Sequence, residues 1–98
     1  MTALMEFTSH IAGKNAKVAI YSDRIEWTTP GKLTLSGRRP ESEMIPIRAI
    51  TSVGSKRDGL RYHAVSIITA GATIDMRVSK DEAAQVKDTI TRLMLSTT

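Results

Sequence analysis

The chain has 98 residues, 41% hydrophobic and 24% charged, enough for one hydrophobic core, too short for two and too apolar for intrinsic disorder. With no cysteine and two histidines, a disulfide framework and a thiolate metal site are excluded, and His10 and His63 are too far apart for metal-ligand spacing. The formal net charge of +4 invites a polyanion partner, but Glu6, Asp23, Glu26, Asp75, Asp81, Glu82 and Asp88 interrupt the basic residues along the chain.

From the start, Phe7 to Ile11 is rich in β-formers and predicts a first strand ending at Gly13. From Ala16, Val18 and Ile20 alternate with Lys17, Ala19 and Tyr21, and Ser22-Asp23 supplies turn residues. Ile25 and Trp27 then alternate with Arg24, Glu26 and Thr28, so a tight antiparallel hairpin is expected, with Trp27 as a core anchor. Pro30-Gly31 predicts a turn, Leu33 and Leu35 a short strand, and Ser36 to Ser42 an exposed polar loop.

Met44-Ile45-Pro46-Ile47 is apolar but contains a proline, which removes a ladder donor and belongs at a sheet edge or bulge, where the chain turns a corner. Arg48-Ala49-Ile50 predicts a brief turn and Thr51 to Lys56 a strand with Val53 inward. Asp58-Gly59 marks a hairpin with a basic tip before the strong β-formers Tyr62, Val65, Ile67 and Ile68. After a turn at Ala70-Gly71, Ile74, Met76 and Val78 alternate with Asp75 and Arg77 up to about Val78. The period then changes from two to 3.6. Ser79-Lys80-Asp81-Glu82 is a capping box, and Ala83, Val86, Ile90, Leu93 and Met94 form one stripe of a helix over about 79–95, with Asp81 and Glu82 at the positive end of its dipole and Arg92 near the negative end.

About seven short strands within residues 3–78 and one closing helix describe a mostly β (α+β) antiparallel sandwich or open barrel. Three stretches resemble the bacterial and phage pleckstrin-homology-like (PH-like) domains. Gly13 to Trp27 looks like their opening hairpin. Ile45-Pro46-Ile47-Arg48-Ala49-Ile50-Thr51-Ser52-Val53 is similar to a recurring segment of that group, and Ile74 to Leu95 resembles its usual strand-to-helix end. The resemblance covers most of the chain except Thr29 to Ser42. It implies a single PH-like domain, a bent seven-stranded barrel with the helix plugging one end. In the wider superfamily, phosphoinositide binders carry a basic motif at the first hairpin. Lys14 and Lys17 match its first two positions, and Ala19 stands where its final arginine belongs.

No catalytic constellation emerges: neither histidine has a serine and carboxylate at a known spacing, and Gly13-Lys14 lacks the rest of a phosphate loop. The expectation is therefore a non-enzymatic cytoplasmic binding or scaffolding module, since no apolar run approaches a membrane span and Met1 to Met5 lacks the features of a secretory signal. No cofactor and no metal are expected. Protein contacts, including homo-oligomerisation, are the leading partner class, through an edge containing Met44, Ile45 and Ile47. The alternative is an anionic lipid or phosphate surface read by Lys14, Lys17, Arg38, Arg39, Lys56, Arg57 and Arg61, with ordinary solubilising loop tips as the simplest account of those charges. Nucleic acid ranks lowest, because one Trp, one Phe and two Tyr supply no stacking platform once Trp27 enters the core.

Overall fold

The computed structural model describes residues 2–29 and 41–96, together with the backbone of 33–34 and 37–38. Period-two patterning builds its sheet. Strands β1 (Met5–Ile11), β2 (Lys14–Ile20), β3 (Arg24–Thr29), β6 (Glu41–Pro46), β7 (Ile50–Asp58), β8 (Tyr62–Thr69) and β9 (Thr73–Ser79) form one seven-stranded antiparallel sheet in the order β6-β3-β2-β1-β9-β8-β7. The alternate residues Phe7 and Ile11, Ala16, Val18 and Ile20, Ile25 and Trp27, and Met76 and Val78 are buried in one cluster. The result is a mostly β, antiparallel sheet with a single C-terminal helix, an architecture consistent with the expected PH-like sandwich.

The bend lies where β1 meets β9. Only His10 and Ile11 of β1 pair with β9, opposite Arg77 and Met76, whereas all of β1 pairs with β2. Below that crossing the strands diverge. The buried Ser9 hydroxyl donates to the Arg77 carbonyl at 2.9 Å, supplying a partner to a backbone group at the edge of the ladder. The sheet thus folds over into two facing halves, and among the described residues nothing pairs β6 with β7, so the barrel stays open.

Turn chemistry agrees with the expectations. Tyr21 N–H donates to the Arg24 carbonyl at 2.8 Å, making Ser22-Asp23 the turn, and Gly59 after Asp58 has φ +81°, a conformation glycine adopts at no steric cost. Pro46 ends edge strand β6, and a 3₁₀ turn at Ile47–Ala49 makes the corner into β7.

The stretch from Ser36 to Ser42 departs from the expected loop. Gly37–Arg38 is a short strand (β5) paired with Leu33–Thr34 (β4), and Glu41 and Ser42 already belong to β6. Side chains selected for solvent on a strand edge carry the same polar signature as a loop, which is why the pattern reads as one. Leu35, Ser36, Arg39 and the turn at Pro30-Gly31 lie outside the described residues.

Helix α1 (Lys80–Ser96) begins as the capping box requires: Glu82 N–H donates to Ser79 Oγ at 3.2 Å, and the Glu82 carboxylate accepts from Ser79 N–H at 3.4 Å. Ala83, Val86 and Ile90 are buried, while Leu93 and Met94 pack against the cluster from its margin. The stripe lies on β7, β8, β9 and the corner. The described residues contain no helix long and apolar enough to cross a membrane.

Candidate functional site

The register brings three connections to one end of the sheet: the Ala12-Gly13 turn after Ile11, the link leaving Thr29 and returning at the paired Glu41, and the Ala70–Ala72 turn between β8 and β9. At this end the two halves of the sheet do not close on each other. A groove of about 520 Å³ opens between Ile11, Lys14 and Trp27 on one side and Thr73, Ile74 and Asp75 on the other, with Glu41 and Glu43 on its rim. It runs on into a second depression of about 490 Å³ along β6 toward Met44 and Pro46, the two sharing Trp27, Glu43 and Ile74.

Strand parity explains the composition of this groove. Trp27 pairs with Glu43 and Thr29 with Glu41, so both glutamates project to the same side of the sheet as the tryptophan and as Ile45. Deeper in, that side is core; at the mouth it is open. Trp27 is 6% exposed and Ile45 9%, which makes them floor, whereas Glu41, Glu43 and Asp75 are exposed. Two carboxylates, Glu41 and Glu43, therefore share the groove with one ammonium, Lys14, on a chain whose net charge is +4, whereas Asp75 lines it only from the side, its carboxylate accepting from Ser66 Oγ at 2.5 Å on the outer face of β9. Among the described residues neither Glu41 nor Glu43 takes part in an ion pair.

Among the described residues, the basic side chains singled out from the sequence are not brought into one patch. Lys14 and Lys17 are three positions apart on β2 and so project to opposite faces of it. Lys14 enters the groove, whereas Lys17 lies on the outer face in a shallow depression with Glu6 and Glu26. Lys56, Arg57 and Arg61 do cluster, all exposed at the hairpin joining β7 to β8, but that tip abuts Ser79 at the other end of the sheet. Arg38 belongs to β5 by its backbone, and its side chain, like all of Arg39, lies outside the described residues.

The proposed apolar edge needs a correction. β6 is an edge strand, but Ile45 and Ile47 are 9% and 1% exposed and sit in the chain's own core, leaving Met44 alone of the three on the surface at 53%. Proline at the edge marks the end of pairing, and the corner that follows folds the neighbouring side chains inward. An Ile45→Lys change would thus strike the core before it tested any contact.

Other charged groups are already occupied. Arg24 donates from Nε to Glu26 at 2.7 Å and from Nη1 to Asp23 at 2.8 Å and stacks over Tyr21, and these two hydrogen bonds, Glu26's first, raise its pKa further. Arg77 pairs with Asp58 at 3.4 Å and lies over the Tyr62 ring. His63 is half-buried on β8, with Nδ1 buried and lacking a hydrogen-bond partner among the described residues.

Sequence reasoning used Trp27 only as a core anchor and missed the role of Glu41 and Glu43. The signal was present: stepping back by two from Ile45 reaches Glu43 and Glu41, the same face continued to where the sandwich opens. No protein-family model matches the sequence, and no curated protein matches it.

Proposed function

We propose that this chain is a non-catalytic, cytoplasmic binding module of the PH-like group, engaging a protein segment in the groove at the open end of its sandwich. The observation that carries this reading is a groove floored by the buried Trp27 and the half-buried Ile74 beside an edge strand whose Glu41 and Glu43 form no ion pair among the described residues. Binding sites are concave and mostly apolar, with a few polar groups that fix orientation, and an edge strand adds main-chain groups to which an extended segment can bond. The strand order and the closing helix support the PH-like assignment, and the lack of cysteine suits a reducing compartment.

The test is affinity capture from a lysate with the native chain and with a Glu43→Lys, Ala72→Arg variant that obstructs the groove at two exposed positions. Chains captured by the native protein are expected to be absent with the variant. Identical captures from both would overturn the reading.

A further inference from the structure

Among the described residues the most exposed large apolar side chain is Leu60, 91% exposed at the tip of the β7–β8 hairpin. It stands among Lys56, Arg57 and Arg61. The one acid there, Asp58, is held by Arg77 at 3.4 Å, so the tip presents an apolar knob ringed by uncompensated positive charge. It is also braced. Arg57 Nε donates to the Gly59 carbonyl at 3.2 Å, and the Arg77 guanidinium lies 4.6 Å from the centre of the Tyr62 ring. A braced loop loses little conformational entropy when it docks.

The groove offers the converse, an apolar floor with Glu41 and Glu43 on the rim formed by edge strand β6, across from Lys14. Knob and groove lie at opposite ends of β8: Tyr62 follows the tip, and Thr69 lines the second depression, which shares Trp27, Glu43 and Ile74 with the groove. Along a strand those seven steps span about 23 Å, so a chain cannot place its own tip in its own groove. We infer that the groove's occupant is a second copy of this chain, whose hairpin tip inserts Leu60 toward Trp27 while Arg57 and Arg61 meet Glu41 and Glu43. This rests on the groove reading above and names its partner. Each copy has a tip to give and a groove to fill: two antiparallel copies that exchange tips close as a two-fold dimer, and any other placement continues as a chain or ring.

Sedimentation velocity over a concentration series, at about 50 mM and about 500 mM salt, reads this directly. The native chain is expected to gain mass with concentration at low salt and to lose that gain at high salt. Leu60→Gln, at a fully exposed site, should weaken association by about tenfold, the scale of one buried anchor. Two charge-reversed variants give the decisive arm. Arg57→Glu with Arg61→Glu makes both tip and groove acidic; Glu41→Lys with Glu43→Lys makes both basic. Each should remain monomeric alone, and their equimolar mixture should associate, with the emission of Trp27, the chain's only tryptophan, shifting on mixing. A native chain that stays monomeric throughout, or association that survives in either variant alone, overturns the inference. A monomer whose groove variant still loses a foreign partner overturns only the self-docking and leaves the groove reading standing.

Discussion

Ala12 has φ 51° and Gly13 φ 80°, the pair of left-handed residues that a two-residue hairpin turn needs to follow the twist of its strands. Glycine accepts this freely, but alanine does so at a cost of about 1 kcal/mol from the crowding of Cβ against the carbonyl oxygen. Asparagine tolerates the region better, so Ala12→Asn is expected to stabilise the fold by about 0.5 to 1 kcal/mol, read as a higher urea midpoint with an unchanged slope. A lower midpoint would mean that the alanine methyl contributes more by contact than it costs in strain. The opposite sign is expected inside. Ile90 is fully buried on α1 against the sheet, and Ile90→Ala removes that contact and leaves a cavity, at a cost of about 2 to 5 kcal/mol in chemical denaturation. A loss under 1 kcal/mol would show that the helix closes over the gap.

Among the elements, α1 was the most legible in the sequence, because three independent signals coincide there: the change of period after Val78, the capping box, and the stripe from Ala83 to Met94. Each has its counterpart in the structure, the box in both of its reciprocal bonds. Ser79→Ala would free the Glu82 amide and is expected to cost about 1 kcal/mol. Ser79→Asp should recover most of it, since a carboxylate at this position also accepts from the first turn and favours the positive end of the helix; equal loss in both variants would assign the effect to the end of β9. The edge strand β6 was the least legible. Its first three residues are polar on both faces and its last is a proline, so Glu41 and Ser42 are indistinguishable in sequence from the loop before them. The apolar run that followed read as a surface in want of a cover, whereas the corner at Ile47 folds it into the core.

At the scale of the whole molecule, alternation discloses which residues share a face but not where two halves of a bent sheet part. The groove therefore stayed hidden: its walls come from Ile11, Trp27, Glu43 and Ile74, which are far apart in the chain and meet only through the register. The same register decides how the basic residues act together. Lys56, Arg57 and Arg61 share the hairpin tip, Lys14 stands at the opposite end, and Lys17 projects from the outer face beside Glu6 and Glu26. A membrane is a plane, and of these five the plane that meets the tip meets three. At about 1 kcal/mol for each basic side chain near an anionic surface, the tip supplies about 3 kcal/mol, a partition favoured only on the order of a hundredfold before salt screens it. Pelleting with vesicles of phosphatidylcholine alone and of phosphatidylcholine with phosphatidylserine should therefore recover similar, small amounts of protein at roughly 150 mM salt. Lowering the salt should bring out a difference that disappears with Arg57→Glu and Arg61→Glu and is untouched by Lys14→Glu. Strong recovery on the anionic vesicles at the higher salt, lost with Lys14→Glu, would instead place the lipid-facing surface at the mouth of the sandwich and displace the reading of that mouth as a site for protein.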